Sequence, residues 1–523
     1  MRHRYISKPN KVCLQEYFCK LLHIYNDEDM ANKNLAIHNI FETSPDLPLN
    51  KLPIAYSPLK DPMVNSFRAD CNKLESNKRY CANLNLAYSL IHSIPSPCYV
   101  LYYNALDSNL KLLNQISQAS GAYILVALKG YSFWREFDGV RKYLHGATCS
   151  GAWEARLAYE EIVAKSNDSV DTKLNTTNLD DNHLYTKHVC VFSPAYKESQ
   201  MQEILQYATH IIFNSFAQWH RFKGMIDSKN KKLIASNRRI EVGLRVNPLY
   251  SEVNPPIYNP CAPKSRLGII PIEFHKDIES YASLYGYADA QKFFASEFSG
   301  LHFHTHCEQD SNALARTLPH VIKHFDTYIK LSNWINFGGG HHITREDYDC
   351  DLLVSLVLDF KAKYHNIDVF LEPGEAVGWQ CGDLIGTVVD IIQNDGEIAI
   401  LDISASCHTP DCLEMPYRPA CYKISIDTGT GSLHIESDLG ENAGKYHYRF
   451  GGPTCLAGDV FGDYSFDSKL NVGDRIAFCD MMHYTIVKNT TFNGVELPKL
   501  GVIKDDRFTL LKDFDYSYFK NRN

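Results

Sequence analysis

Strand-like and helix-like segments alternate along most of this 523-residue chain, and the alternation restricts the folds open to it. Residues 94–102 begin with prolines and continue as an apolar strand, residues 109–122 carry apolar side chains at helical spacing, and residues 123–128 predict another strand. This pattern continues to about residue 380. Repeated strand–helix units favour a (β/α)8 barrel over residues 94–380, although periodicity alone does not separate a barrel from an open sheet.

The pattern differs on both sides of this region. Short strands separated by Gly, Asn and Asp turns predict a mostly antiparallel β domain over residues 381–523, with one strand at 484–488. Residues 1–93 predict an N-terminal extension to which we assign no role. The polar stretch 166–187 predicts a surface insertion. We therefore expect an α/β chain in which a barrel is followed by a β domain.

The composition excludes several classes of binding partner and of site. The net charge of −8 and the pI near 6.3 argue against non-specific nucleic-acid binding and fit a cationic partner. No apolar run approaches the length of a membrane span, and the N-terminus lacks the apolar core of a signal peptide. The 16 cysteines show no CxxC spacing that would indicate a zinc ribbon. We expect a cytoplasmic enzyme that binds neither nucleic acid nor membrane.

A lysine closes the buried strand at residues 123–128. Lys129 can be an ordinary strand-end lysine whose amine reaches solvent. The alternative is a Schiff-base lysine, because an amine at a barrel rim is partly desolvated and has a lowered pKa. Pyridoxal 5′-phosphate (PLP) is the common aldehyde partner of such a lysine. The choice depends on whether the chain also supplies a phosphate cradle and a partner for the pyridine nitrogen.

Two further strand ends offer these features. Gly338, Gly339 and Gly340 follow a predicted strand, and glycines there let backbone N–H groups approach a phosphate. Glu372 ends another strand before a Pro-Gly turn, and a carboxylate against a pyridine nitrogen keeps that nitrogen protonated. A simple turn remains the alternative for each motif.

Three histidines, at 302, 304 and 306, alternate along one predicted strand and are expected on one face. One imidazole could stack on a pyridine ring. Alternatively, the face formed by His302, His304 and His306 could bind a metal ion, as in barrel hydrolases. The metal hypothesis needs further ligands at later strand ends, and we rank it second.

Taken together, these motifs resemble the fold-type III PLP-dependent decarboxylases, whose barrel is similar to that of alanine racemase. The resemblance covers residues 95–497 and is closest to the carboxynorspermidine/carboxyspermidine decarboxylase branch. The segments that carry it are Ala127-Leu128-Lys129, Ser193-Pro194-Ala195-Tyr196-Lys197, Gly243 to Pro248, Tyr258 to Pro263, Ser265-Arg266-Leu267-Gly268, Leu371 to Ala376 and Pro410 to Pro419.

The resemblance implies a role for each matching residue. Lys129 would bind PLP covalently, His304 would stack on its ring, and Glu372 would face its nitrogen. The phosphate would contact the Gly338–Gly340 loop and Tyr484. Cys455 would reach the neighbouring subunit's site as a proton donor, so the resemblance also implies a homodimer.

One position departs from the ornithine-type pattern Glu-Pro-Gly-Arg. Glu375 stands in the place of the arginine, which removes a cation and adds a site for an amine. Asp411 is a second acidic candidate, with a plain turn aspartate as the alternative. His306 stands where the family pattern leads us to expect an aliphatic residue.

The resemblance implies decarboxylation of carboxynorspermidine or carboxyspermidine to norspermidine or spermidine, with a carboxylated polyamine as substrate. Alternatives are another fold-type III decarboxylase, such as one acting on diaminopimelate, a metal-dependent hydrolase, and a PLP-binding scaffold without activity.

Overall fold

The computed structural model describes residues 90–168, 187–236, 238–426 and 433–523. Two sheets organise these residues, a parallel one and a larger, mostly antiparallel one. The predicted N-terminal extension lies outside the described residues up to position 89, as does most of the predicted insertion, residues 169–186. Within the described residues, no helix is both long and apolar enough to span a bilayer.

The parallel sheet closes into a barrel. Its order runs from β2 through β10, β9, β8, β7, β6, β5 and β4 to β3. Because β2 and β3 are two parts of one strand interrupted at Leu125, eight strands surround the axis, which confirms the predicted (β/α)8 barrel. The strands are β2 Tyr123–Ile124, β3 Val126–Ala127, β4 Gly146–Cys149, β5 His188–Phe192, β6 His210–Phe213, β7 Glu241–Arg245, β8 Gly300–His302, β9 Trp334–Asn336 and β10 Asp368–Leu371.

Helices lie between these strands and follow them to the end of the chain. They are α1 Tyr103–Ser120, α2 Asp138–Tyr143, α3 Ala152–Ala158, α4 Lys165–Asp168, α5 Glu198–Tyr207, α6 Phe216–Leu233, α7 Pro271–Leu284, α8 Ala290–Glu297, α9 Ser311–Ile329, α10 Cys350–Lys363, α11 Glu375–Gly378, α12 Ala405–His408, α13 Asp411–Glu414 and α14 Tyr516–Arg522. A π-helical segment, Tyr159–Ala164, joins α3 to α4. The sequence predicts this region as one helix over 152–164.

A tryptophan packs inside the barrel. The indole of Trp334, on β9, lies over Gly300 on β8 and Gly243 on β7, where an added Cβ would come within 2.2 and 2.3 Å of the ring. Its Nε1 donates a hydrogen bond to Glu241 at 3.0 Å. Leu125, Cys190, Ile212 and Phe370 complete this buried cluster, so the barrel axis is filled by side chains rather than open.

The second sheet is the predicted β domain. Its strands are β1 Cys98–Tyr102, β11 Gly382–Gln393, β12 Glu397–Leu401, β13 Cys421–Ile426, β14 Leu433–Ser437, β15 Tyr446–Gly451, β16 Val460–Phe466, β17 Arg475–Phe478, β18 Lys499–Lys504 and β19 Arg507–Lys512. Most pairs are antiparallel, while β1 with β18 and β12 with β15 are parallel. The mostly antiparallel character predicted from the turns is confirmed.

Two predicted strands differ in the structure. The strand at 98–102, which the sequence places with the barrel, lies in the second sheet between β11 and β18. All five of its residues are buried, so no alternation of polar and apolar side chains distinguishes its two possible sheets. The strand predicted at 484–488 is a turn followed by the 3₁₀ helix Ile486–Lys488. Tyr484 has a φ of 44°, which is incompatible with an extended strand.

Candidate active site

Lys129 follows β3 and borders a cavity of about 610 Å³ at the end of the barrel. Backbone hydrogen bonds fix the strand on both sides, from Ala127 N to Pro373 O at 3.0 Å and from Leu128 N to Thr148 O at 3.1 Å. Lys129 is exposed at this cavity, while the walls of the cavity surround its amine with protein atoms. Burial lowers the pKa of Lys129, and the nearby Glu372 carboxylate opposes that shift. A lowered pKa favours a nucleophilic, neutral amine.

The three glycines follow β9 and pack against the segment after β8. Gly338 and Gly340 have φ values of 73° and 82°, which other residues rarely adopt. A Cβ at Gly340 would lie 2.2 Å from the His306 carbonyl oxygen, and one at Gly339 would lie 2.4 Å from that of Glu372. The glycine loop, the segment after β8 and the segment after β10 can therefore approach one another, because the glycine loop has no side chains.

His304 is tied to the same loop. The N–H of Gly339 donates a hydrogen bond to His304 Nδ1 at 2.9 Å, and Arg245 donates to the His304 carbonyl at 3.2 Å. Burial lowers the pKa of His304 well below its usual value, so its imidazole is neutral at neutral pH. A neutral ring with a fixed orientation can stack on an aromatic group.

The predicted histidine face is only partly formed, because β8 ends at His302 and the other two histidines lie beyond the strand. The three imidazoles have different neighbours. His302 Nε2 is 3.3 Å from Glu372, His304 binds the glycine loop, and the His306 ring lies 4.9 Å from that of His341. This dispersal does not support the metal hypothesis.

Glu372 directly follows β10 and is a buried carboxylate. Asn336 Nδ2 donates a hydrogen bond to Oε1 at 2.7 Å, and Thr148 also interacts with the carboxylate. Burial raises the pKa of Glu372, but His302 and these hydrogen bonds outweigh it and lower the pKa overall. Since burial lowers the pKa of His302 as well, we interpret His302 as a neutral N–H donor to an ionised Glu372.

An acidic group faces the cavity from α11. The Glu375 Oε1 atom is 3.6 Å from His342 Nε2 and 3.8 Å from His483 Nδ1. Burial raises the pKa of Glu375, and His483 opposes the rise. Glu308 also lines the cavity. Two carboxyl groups and the lysine amine thus share one cavity.

The predicted site residues divide into two groups. Lys129, His304, Gly340, Glu375 and Tyr484 line the cavity, whereas Gly338, Gly339, Glu372, Asp411 and Cys455 are not part of its lining. The first two glycines and Glu372 lie behind the lining, as their contacts with His304 and with each other indicate.

Asp411 lies behind the cavity lining, beside the turn that carries Tyr484, and Cys455 lies in another loop of the β domain. Asp411 Oδ2 accepts hydrogen bonds from Thr485 at 3.0 Å and Tyr417 at 3.2 Å, and its other oxygen is buried without a hydrogen-bond partner. Cys455 is exposed in the loop between β15 and β16, and Asn493 Nδ2 lies 3.1 Å from its sulfur. Within this chain Cys455 is outside the cavity.

The sequence alone did not assign several polar groups to this site. Arg245 is buried with its guanidinium 4.4 Å above the Phe192 ring, and Glu308, His342 and His483 surround Glu375. The segment containing Arg245 carries the family resemblance, which was an available signal. Nothing in the local sequence identifies Glu308 as cavity-lining, because its loop becomes part of the site only in the folded barrel.

The comparisons with known proteins identify the family. The family described as "Pyridoxal-dependent decarboxylase, C-terminal sheet domain" matches residues 56–482. The chain belongs to the pyridoxal-dependent decarboxylases. It is 40% identical over 431 residues to a carboxynorspermidine/carboxyspermidine decarboxylase of Campylobacter jejuni, covering 82% of this chain and 99% of that protein. It is 37% identical to a carboxyaminopropylagmatine decarboxylase of Synechocystis, covering 83% and 96%.

Solved structures of decarboxylases agree with the fold. The crystal structure of the C. jejuni carboxynorspermidine decarboxylase complexed with norspermidine superposes with a TM-score of 0.65 at 39% identity, covering 82% of this chain and all of that one. A diaminopimelate decarboxylase from Helicobacter pylori has a TM-score of 0.60 at 15% identity, covering 81% and 95%, and supports the fold alone.

The residues at the cavity fit the family's cofactor. The cavity holds the amine of Lys129, which could bond to the pyridoxal aldehyde. Glu372, ionised and electrostatically coupled to Lys129, matches a protonated pyridine nitrogen. A Cβ on the glycine loop would collide with the backbone beside His304 and His306, so only glycine preserves this part of the wall. This decarboxylase therefore retains groups suited to PLP.

Proposed function

We propose that this decarboxylase removes the α-carboxylate of a carboxylated polyamine, carboxynorspermidine or carboxyspermidine, to give norspermidine or spermidine. The observation that best supports this proposal is that Lys129 lines the same cavity as the carboxyl groups of Glu375 and Glu308. A polyamine carries several ammonium groups, and each can donate a charge-assisted hydrogen bond to a carboxylate. Asp411, with one buried oxygen that lacks a partner, is a further ammonium acceptor in this proposal.

The relatives support this substrate class. The C. jejuni relative is a carboxynorspermidine/carboxyspermidine decarboxylase, and its crystal structure contains norspermidine. The Synechocystis relative favours carboxyaminopropylagmatine as a second candidate substrate. The guanidinium group of carboxyaminopropylagmatine would also pair with a carboxylate. It can form two parallel hydrogen bonds to that carboxylate more readily than an ammonium group can.

The proposed roles follow the family resemblance. Lys129 would hold the cofactor, His304 would stack on its ring, Glu372 would face its pyridine nitrogen, and Gly338–Gly340 with Tyr484 would hold its phosphate. Of these residues, Lys129, His304, Gly340 and Tyr484 line the cavity. PLP, when bound, supplies an electron-accepting ring to the carbon that loses CO2. Among the chain's own groups, an ionised Glu372 would favour the protonated form of that ring nitrogen.

Cys455 donates the proton to the substrate carbon from the partner subunit in this proposal. The thiol is exposed in a loop held by Asp459, whose carboxylate accepts a hydrogen bond from Thr454 Oγ1 at 2.6 Å. An ordered, exposed loop of this kind can enter the cavity of a second copy. We therefore propose a homodimer with sites at its interface. A cytoplasmic location fits the buried thiols of Cys149, Cys190 and Cys421.

The test is CO2 release by the PLP-loaded enzyme from four compounds offered separately: carboxynorspermidine, carboxyspermidine, carboxyaminopropylagmatine and diaminopimelate. We expect kcat/KM to be highest for a carboxy-polyamine. A preference for carboxyaminopropylagmatine selects the second candidate. Release from diaminopimelate alone contradicts the proposal, and a protein that binds PLP but releases no CO2 is a scaffold.

The shared site is tested by mixing variants. Lys129→Ala and Cys455→Ala homodimers should each be inactive or nearly so. Equal mixing after subunit exchange should restore about a quarter of wild-type activity, since half the dimers are mixed and each has one intact site. Cys479→Ala, at a cysteine of the β domain that does not line the cavity, is the matched control. No recovery on mixing, with exchange demonstrated by mass spectrometry, contradicts the interfacial site.

A further inference from the structure

The turn formed by residues 480–484 connects two segments of the site. The N–H of Gln380, just after α11, donates a hydrogen bond to Asp480 Oδ1 at 2.6 Å. The N–H of Tyr484 donates to the Gly130 carbonyl at 2.8 Å, next to Lys129. Positive φ values of 60° at Asp480 and 44° at Tyr484 shape the turn. The turn is therefore anchored to the Lys129 segment at one end and to the Glu375 helix at the other.

An ion-pair chain runs from this turn into the cavity. His483 Nε2 is 3.2 Å from Asp480 Oδ2, and His483 Nδ1 is 3.8 Å from Glu375 Oε1. The side chain of His483 is 12% exposed, that of Glu375 is 18% exposed, and the latter lines the cavity. Because Asp480 faces one ring nitrogen, the other nitrogen is directed towards Glu375. Asp480 thus orients the imidazole.

We propose that His483, oriented by Asp480, is a positioning residue that fixes the Glu375 carboxylate for an ammonium group of the substrate. This inference rests on the proposed function, because it names what prepares the proposed ammonium site. His483 acts through Glu375. The contact distance of 3.8 Å leaves carboxylate lone pairs for hydrogen bonds from a substrate N–H group.

The balance of charge supports this role. Burial opposes the charge on His483, but Asp480 and Glu375 outweigh it and raise the pKa of His483. Burial raises the pKa of Glu375, and the His483 cation is the largest opposing influence. Further titratable or charged groups act on these two residues from the elements packed around them, namely Glu308, His342, Arg345, Asp411 and Asp480. With His483 in place the pKa of Glu375 is raised to about 7, so Glu375 is partly ionised at neutral pH. Removing the His483 cation should raise this pKa further and leave Glu375 mostly protonated at neutral pH.

The experiment measures kcat and KM of the PLP-loaded His483→Gln enzyme with its best carboxy-polyamine across pH 6 to 10. The acid limb of kcat/KM reports ionisation of Glu375 and should move to higher pH by about one to three units, the usual effect of an opposite charge at this range. At neutral pH we expect KM to rise roughly tenfold, as one pKa unit corresponds to a tenfold change. The kcat at saturating substrate should change less.

The matched control is His434→Gln. His434 lies 3.7 Å from Glu436 in the same domain, but its side chain is 64% exposed and outside the cavity. This variant should keep the wild-type KM and pH profile. The melting temperatures of His483→Gln, His434→Gln and a second variant at the same position, His483→Asn, show whether each protein is folded.

A double-mutant cycle separates positioning from packing. In a Glu375→Gln background, adding His483→Gln should change KM little, because the carboxylate on which His483 acts is already absent. If the wild-type enzyme is active and the folded His483→Gln variant keeps the wild-type KM and pH profile, the positioning role of His483 is wrong. The proposed function then still stands. A wild-type enzyme that turns over no carboxy-polyamine contradicts the proposed function, and the inference falls with it.

Discussion

Replacing Glu372 with glutamine tests whether its charge, rather than its shape, serves the cofactor. In the structure the carboxylate receives a hydrogen bond from Asn336 at 2.7 Å and lies 3.3 Å from His302. The amide keeps one oxygen acceptor, but its NH2 group cannot accept a hydrogen bond from either neighbour. At least one charge-assisted hydrogen bond is lost, which costs about 1.5–3 kcal/mol. We expect the free energy of unfolding to fall by about this amount.

The same change should affect catalysis separately from stability. A neutral amide does not favour a proton on the pyridine nitrogen, so electron acceptance by the cofactor weakens. If the lost charge interaction stabilises the transition state by this same amount, and not the bound substrate, kcat falls roughly 10- to 100-fold. The assay is CO2 release at saturating PLP and substrate, with urea unfolding measured on the same preparations.

The matched control is Glu241→Gln at the opposite end of the barrel. Glu241 also accepts a hydrogen bond from a buried side chain, the indole Nε1 of Trp334, at 3.0 Å. It is not part of the cavity lining. It should lose stability without a large loss of kcat. A Glu372→Gln enzyme that loses stability yet keeps wild-type kcat would refute the electrostatic role and leave Glu372 a structural residue.

Three further predictions concern the cofactor site and the barrel. Lys129→Ala should abolish both activity and the visible absorbance that borohydride bleaches, whereas bleaching that persists excludes Lys129 as the attachment point. Gly339→Ala places a Cβ 2.4 Å from the Glu372 carbonyl oxygen, so we expect a loss of ~1–3 kcal/mol of stability and weaker PLP binding in a fluorescence titration. Burial lowers the pKa values of His145 and His210 to about 4, so the unfolded chain binds protons that the folded chain does not below about pH 6.5. Stability in urea should therefore fall from pH 6.5 towards pH 4, less steeply in His210→Gln.

Much of this fold follows from pattern. Eight barrel strands alternate with helices, and the β domain has turn residues between short strands, so period and turn chemistry predict the alternation and the β domain. They do not separate a closed barrel from an open sheet, because both folds have the same alternation of strands and helices. The strand Cys98–Tyr102 was assigned to the wrong sheet, because a fully buried apolar strand fits either one. Only its long-range pairing with β11 and β18 decides its place, and no local pattern encodes that pairing.

The proximity of the candidate site residues was predictable where a residue type has few uses. A lysine, a triple glycine and a carboxylate at three strand ends predicted groups that the barrel brings into one region. His483 was not predicted, since a single histidine in a turn has no specific signature. Its significance comes from Glu375, more than 100 positions earlier in the sequence, which only the folded chain places 3.8 Å away.

The contacts between barrel and β domain explain why neither part can form this site alone. Gly130 and Gly374 are close enough that a Cβ on Gly130 would lie 2.9 Å from Gly374 Cα, so the Lys129 and Glu375 segments touch directly. The turn containing Tyr484 then binds the Gly130 carbonyl from the β domain. Covalent attachment of the cofactor and recognition of the substrate's charge would thus be coupled through one shared backbone junction. A disturbance of that turn should affect both properties together, even though it lies far from Lys129 in sequence.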